Sequence, residues 1–391
     1  MRSRQPTQAR PKPWVEWYAN RIDDPLARLK FLQSVTPLGV PRSRPKRAWL
    51  YIITAVLFLV VLSSLFMVRA ATRVRIVAAA TRPKPVPAPA DAPAAPVWLV
   101  DRSADSETYS NGLRVDTRFE APNHPRGYLA FRADRPADGA GVHRTVPAGI
   151  VFHTTESRQI PFEASANGAL KRIGESLIAF VRRRHAYHFL IDRFGRVYRI
   201  VPESDAAEHA GYSVWSDDVW LYLNLNESFL GISFEAHTEP GQENPTVGPA
   251  QVHAAAMLTE MLRGRYAIPA GNCVTHAQVS VNPQNMRVGY HTDWASSFPF
   301  AQLNLPDNYA RPLPALADFG FEYDATFEHW AGTRLYAGVE MAELELARDA
   351  AASGVTAAER RKMLRKRYRR RLAEAMGVYG AGESSEAAGV R

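Results

Sequence analysis

Gly149-Ile-Val-Phe-His-Thr-Thr155 is an apolar run that closes on a histidine and two threonines, with Pro147 before it and Glu156-Ser157 after it. A short, continuous apolar segment between turn formers reads as a buried strand. Working outward, residues 167–184 carry Leu170, Ile173, Leu177 and Phe180 on one stripe, the spacing of an amphipathic helix. Tyr187 to Ile191 and Val197 to Val201 flank Arg193-Phe194-Gly195, which predicts a β-hairpin. Leu230 to Ala236 predicts a further strand. Residues 249–265 predict a helix that turns Val252, Ala255, Leu258 and Leu262 inward. Strands interleaved with helices give an α/β (α+β) class, with a central mixed β-sheet flanked by helices. There are no internal repeats.

The chain has 391 residues and a formal net charge of +9, which first suggests a nucleic-acid partner. The distribution removes that reading. Residues 1–47 carry +8, residues 69–84 carry +5 and residues 360–371 hold nine bases in twelve positions, while residues 85–359 sum to −11. The large middle region is acidic, so no nucleic-acid partner is expected there.

Residues 48–68 contain no charged side chain, and as a helix they are about 30 Å long, enough for one bilayer core. Trp49 and Tyr51 sit at the end where aromatic rings favour the headgroup zone. This predicts a single transmembrane helix. The denser basic flank, Arg42, Arg44, Lys46 and Arg47, places the N-terminus in the cytoplasm. The expected location is the inner (cytoplasmic) membrane, single-pass, with the remainder in the periplasm. A buried soluble helix is one alternative. The other is a cleaved signal peptide, for which Ala78-Ala79-Ala80 would mimic a cleavage site. The lone Cys273 excludes internal disulfides and Cys-rich zinc modules, and reads as a small buried residue.

The expected organisation is a basic cytoplasmic arm over 1–47, a membrane helix over 48–68, a spacer over 69–96, a folded domain over 97–335 and a helical basic tail over 336–391. Alternating prolines in 82–96 favour extended polyproline II, a semi-rigid spacer. In the tail, Met341 to Ala351 predicts one helix, and the capping box Thr356-Ala-Ala-Glu359 opens another through about Met376. The bases of Arg360 to Arg371 read either as a solvated helix or as an attachment to anionic lipid or polymer at the membrane or wall.

All eleven histidines lie between His124 and His329, inside the acidic region. His153 ends the buried strand, His276 follows Cys273-Val-Thr, and His291 and Asp293 lie in Gly289-Tyr-His-Thr-Asp-Trp294. A hydrolytic zinc ion takes three protein ligands of imidazole and carboxylate type and keeps one position open. His153, His276 and Asp293 can supply that set. Each histidine taken singly also fits a structural role.

The order of these segments carries more than any one of them. A strand ending in His-Thr-Thr is followed by a helix, then Tyr187-His-Phe-Leu-Ile-Asp-Arg-Phe-Gly-Arg-Val-Tyr198, then Glu208-His-Ala-Gly211. Next come Leu230-Gly-Ile-Ser-Phe-Glu235, a helix, Thr275-His276 and a Phe-Pro-aromatic close. Over roughly residues 145–300 this resembles the type 2 N-acetylmuramoyl-L-alanine amidases, which include peptidoglycan recognition proteins and phage lysozyme-type amidases. The resemblance implies a bound Zn2+ and hydrolysis of the amide between N-acetylmuramic acid and L-Ala in peptidoglycan or muropeptides. A non-catalytic peptidoglycan-binding module, tethering membrane to wall, is the alternative it leaves open.

Carried over by position, the zinc ligands match His153, His276 and Asp293, with His291 the alternative for the third. The family tyrosine matches Tyr187. His291 stands where the family's catalytic lysine is expected, and no lysine occurs between Lys171 and Lys362 to replace it. The family glutamate of a Gly-Ile-Glu motif falls on Ser233. Glu235, two residues on and on the same side of the strand, is the expected substitute. Tyr187, His291 and Glu235 are therefore the catalytic candidates, and a protonated His291 is expected to donate to the developing oxyanion or to the leaving amine. His209 and Thr154 are the substrate-contact candidates, with a structural role the alternative for His209. His188 should point away from Tyr187 into the core. The segment from His276 to Asp293 is longer than is usual in the family, and Trp294-Ala295 replaces the usual Pro-Gly.

Overall fold

The computed structural model describes residues 96–133, 139–239 and 247–386. The expected arm, the membrane helix over 48–68 and nearly all of the spacer lie outside these residues. Among the described residues no helix is long and apolar enough to cross a membrane.

Eight strands form the central sheet: β1 (Leu99–Arg102), β2 (Ser106–Tyr109), β3 (Arg114–Asp116), β4 (Gly149–Thr154), β5 (Phe189–Ile191), β6 (Val197–Arg199), β7 (Phe229–Phe234) and β8 (Cys273–Thr275). Their spatial order is β1-β2-β3-β6-β5-β7-β4-β8. β5, β7, β4 and β8 run parallel, and β6 returns antiparallel to β5 as the expected hairpin. The sheet is mixed, as the sequence predicts. All six residues of β4 are buried, which is what a central parallel strand covered on both faces requires.

Five helices frame it: α1 (Asn167–Arg183), α2 (Pro249–Tyr266), the short α3 (His276–Val279), α4 (Ala325–Ala352) and α5 (Ala357–Glu386). α2 buries Ala255, Leu258 and Leu262 in the main core with Ile150, Phe152, Leu230 and Ile232. α1 differs from expectation in rotation. Its buried line is Leu170, Gly174, Ile178 and Val181, while Phe180 is 52% exposed. Ile178 and Val181 meet Leu190, Tyr198 and Ile200, so the contact follows the four-residue ridge rather than the stripe of largest side chains.

Strand alternation sorts β4 into two faces. Ile150 and Phe152 enter the main core, while Val151 and His153 lie on the other face. In register with β7, Val151 sits beside Gly231 and His153 beside Ser233. The second face carries the candidate site.

The tail is part of this body. α4 runs through the expected boundary at 335/336 and breaks its helical geometry at Gly332 (φ 69°, ψ 171°). α5 begins at the predicted capping box, where Thr356 and Glu359 exchange backbone and side-chain hydrogen bonds of 2.9 and 3.2 Å. Leu364, Tyr368, Arg371 and Ala375 of α5 are buried, and Tyr368 packs against Phe319 and Phe321. Much of the basic run is spent internally. Arg361 reaches Glu343 and the Phe321 carbonyl, Arg365 the Gly320 carbonyl and Glu322, and Arg371 lies over the Phe131 ring. Lys362, Lys366, Arg369 and Arg370 are exposed.

Candidate metal centre

β4 delivers His153 at the C-terminal end of the parallel strands, with 1% of its surface exposed. The next strand over ends in Thr275, the N-cap of α3, whose backbone N–H donates to Gln278 Oε1 at 3.0 Å. This cap turns the chain so that His276 opens α3 on the same side as His153. The rings of His153 and His276 meet edge to face with centroids 4.4 Å apart. Asp293 comes from farther along, fixed by the bond from the Ala277 N–H to its carbonyl at 3.2 Å. Its Oδ1 lies 2.8 Å from His276 Nδ1 and its Oδ2 3.2 Å from His153 Nδ1. One ligand atom from each of the three residues lies within 4.8 Å of the others, and all three residues are buried.

The electrostatics suit a cation. Burial alone would raise the Asp293 carboxyl, yet His276 and His153 beside it hold it well below the usual carboxylate range. Burial, with His276 adding to it, pushes His153 down to about 4, so its ring is neutral at pH 7. His276 Nε2 is buried without a hydrogen-bond partner, an orphaned lone pair or N–H that costs free energy in a dry site. A neutral His153 has one ring proton. Its Nε2 faces His209 Nδ1 at 3.1 Å, and His209 Nε2 in turn lies 3.2 Å from the Phe229 carbonyl, which can only accept. His209 therefore accepts from His153 Nε2–H. That leaves His153 Nδ1 and Asp293 Oδ2 facing one another as two acceptors, a conflict that a shared cation resolves. Two imidazoles and one carboxylate are the donor set of an open zinc site, so these residues fit the group.

Tyr187 stands at the edge of this cluster. Its ring centroid lies 5.1 Å from that of His153, and burial, then Asp293, pushes its hydroxyl up from the ordinary value. Its backbone has φ 65°, a left-handed conformation that a bulky residue adopts only under constraint. His291 stacks on His276 at 4.5 Å and 20°, and its backbone N–H donates to Ser280 Oγ at 2.8 Å. Burial, with His276 adding to it, takes His291 down to about 4, so a neutral imidazole is what this arrangement holds at pH 7. The long segment between His276 and Asp293 folds as a small hairpin, Val281–Asn282 against Arg287–Val288.

Two sequence candidates are placed elsewhere, and a third is engaged by the protein. Glu235 lies beyond the end of β7 on the side of Ser233, but its Oε2 accepts from the Arg193 N–H at 3.2 Å and sits against α1 at Gly174. Thr154 follows His153 and so points to the opposite face, where its hydroxyl donates to Glu156 and lies 3.1 Å from that of Thr238. His209 is at the centre, yet both ring nitrogens are engaged with the protein. His188 is fully buried, as expected, with Nδ1 accepting from the Gly231 N–H at 2.9 Å. Cys273 is buried, as expected.

The sequence reading passed over Glu156. It has φ 50°, accepts from the Thr238 N–H at 3.1 Å and lies 2.7 Å from His237 Nδ1. The only signal for it in sequence is an acid directly after His-Thr-Thr. At the other end of the parallel strands, a cavity of about 680 Å3 is lined by Tyr128, Arg144, Trp220, Tyr266 and Arg311, remote from the cluster.

Residues 143–293 match the family described as N-acetylmuramoyl-L-alanine amidase. Among curated proteins, N-acetylmuramoyl-L-alanine amidase AmiD of Escherichia coli (strain K12) is 32% identical over 114 residues, 28% of this chain and 37% of AmiD. The chain thus spans little more than a third of that relative's length. Among solved structures, the complex of E. coli AmiD with anhydro-N-acetylmuramic acid-L-Ala-D-gamma-Glu-L-Lys is 23% identical, with a TM-score of 0.30 over 53% of this chain and 64% of that one. AmpDh3 from Pseudomonas aeruginosa, in complex with anhydromuramic pentapeptide, is 21% identical with a TM-score of 0.31 over 40% of this chain and 58% of that one.

Proposed function

We propose that this chain, which over residues 143–293 belongs to the type 2 N-acetylmuramoyl-L-alanine amidase family, is a zinc-dependent hydrolase of the amide between N-acetylmuramic acid and L-Ala. The observation that carries the reading is the buried convergence of His153, His276 and Asp293 inside the matched segment. These three residues would hold the ion. Bound there, zinc supplies a Lewis acid and lowers the pKa of a water from about 16 towards about 7.

The remaining chemistry belongs to the chain. Cleaving the amide builds negative charge on the lactyl carbonyl oxygen and then requires a proton on the departing L-Ala nitrogen. Tyr187 keeps its proton at neutral pH and lies beside His153, which supports a role as donor to that oxygen. His291, neutral and stacked on His276, has a ring lone pair to take a proton from water and can return it to the amine. This replaces the protonated donor expected from sequence. The apolar packing behind the cluster, Phe152, Phe298 and Trp294, fixes the ligand-bearing segments.

The substrate is peptidoglycan or its released muropeptides, placed in the periplasm by a chain anchored in the inner membrane through residues 48–68. The uncharged run between basic flanks supports that location. Anionic lipid or polymer would meet α5 along Lys362, Lys366, Arg369 and Arg370, the exposed bases, rather than along the whole of Arg360 to Arg371.

Purified chain incubated with sacculi tests the reading. Release of stem peptides by the wild type, lost in H153A and in H276A, is the expected result. Wild-type release by both variants would overturn it.

A further inference from the structure

His209 occupies a place that the surrounding chain is built to hold. Asn226 Oδ1 accepts three consecutive backbone N–H groups, those of His209, Ala210 and Gly211, at 2.9, 2.7 and 2.8 Å. One side-chain oxygen thus clamps the loop that carries the histidine. The ring then lies on strand β7 at Gly231. A Cβ at that position would come within 2.6 Å of His209 Cγ and 2.9 Å of its Nδ1, so only glycine leaves room for the imidazole. The ring meets His153 edge to face, with centroids 5.2 Å apart and planes at 82°.

The hydrogen bonds run in one direction. The Phe229 carbonyl requires the proton of His209 on Nε2, at 3.2 Å. A neutral ring then presents Nδ1 as an acceptor to His153 Nε2, at 3.1 Å. That fixes the His153 proton on Nε2 and turns its Nδ1 lone pair towards Asp293 and the cluster. A ligating imidazole is oriented in this way by whatever its second nitrogen donates to.

We propose that His209 is a positioning residue of the metal centre: through the chain Phe229 carbonyl, His209, His153, it sets the tautomer and ring orientation in which His153 binds the ion. Both its ring nitrogens are spent on this, which leaves none for glycan or peptide. The inference rests on the metal reading above.

The test measures zinc affinity of the full chain in detergent by competition with a chromophoric chelator, with folding followed by far-UV circular dichroism. H209A is expected to bind zinc 10- to 100-fold more weakly, the usual effect of losing such a partner. G231A, which leaves every side chain of the site in the sequence but displaces the ring, is expected to do the same. H209Q, whose amide oxygen can still accept from His153, should recover part of the loss and also serves if H209A fails to fold. Wild-type affinity in H209A or H209Q together with G231A, accompanied by a raised KM, would make His209 a substrate contact and overturn the proposal. Wild-type protein that binds no zinc would remove the metal reading itself and this inference with it.

Discussion

Asp293 and His276 are joined twice. The Asp293 carboxylate lies 2.8 Å from the His276 imidazole, and its carbonyl accepts the N–H of Ala277, the residue that follows His276. The Asp293 carboxylate is thereby tied to the first turn of α3 through backbone as well as side chain. D293N keeps the volume and the backbone bond but removes the charge that the two imidazoles stabilise. It is expected to lose stoichiometric zinc, measured by metal analysis after dialysis, while keeping its circular dichroism spectrum. Full zinc occupancy in D293N would move the third ligand to His291.

On the proposed reading, Tyr187 and His291 act on the reacting groups and not on the ion. Y187F and H291A are expected to retain bound zinc and lower kcat by about 10²- to 10³-fold, the range for removing one oxyanion donor or one general acid–base group. Steady-state kinetics with a soluble muropeptide, alongside metal analysis, checks this. Loss of zinc in H291A would make it a ligand.

Gly149 opens β4 beneath the ring of Phe229. A Cβ there would fall 2.1 Å from Phe229 Cε1 and 2.5 Å from the Asn272 carbonyl. G149A is expected to cost roughly 1–3 kcal/mol of stability as an overpacked core position. Its unfolding midpoint in urea should drop with an unchanged slope. An unchanged midpoint would mean that β4 and β7 can separate at no cost.

His188 gives the fold a pH dependence whose sign is fixed. Burial, with Arg126 beside it adding to the effect, holds its ring well below the ordinary imidazole value in the folded protein. The unfolded chain takes up that proton near pH 6.5 and the folded one does not, so stability is full above that pH and falls as pH drops below it. Thermal unfolding of H188Q should show a shallower decline between pH 7 and pH 5 than the wild type. Equal slopes would take His188 out of the account.

α5 is load carried by the domain as much as a tail. Leu364 and Tyr368 are each 2% exposed against Phe319 and Phe321. Removing residues 357–391 bares these rings, at roughly 1.5–3 kcal/mol for each large side chain uncovered. A markedly lower melting temperature is expected, and an unchanged one would make α5 a separable tether.

The strand of His153, the two flanking helices, the hairpin and the convergence of His153, His276 and Asp293 were legible in sequence because each is a local pattern or a single residue at a strand or helix end. What escaped was set by contacts between distant segments. The rotation of α1 follows from Leu190 and Tyr198 on strands that come later in the chain, which no stripe within residues 167–184 can report. Glu235 had the right side of the strand but not its end: β7 stops at Phe234, and the Arg193 N–H takes the carboxylate. The basic run of α5 reads as solvated because its partners, Glu343, Glu322 and three backbone carbonyls, sit far away in sequence. The seat of His209 on β7 has no signal in sequence, because Gly231, which makes room for it, carries no side chain to announce the contact.

The most direct test of the central claim follows oxygen through the reaction. A muropeptide carrying an intact stem is incubated with the full chain in H2(18)O, and the products are weighed by mass spectrometry. The account predicts cleavage between the lactyl group and L-Ala, one heavy oxygen in the new muramic carboxylate, loss of reaction on chelation and its return with zinc. Cleavage at another bond, or the same cleavage at an unchanged rate in chelator, would contradict it.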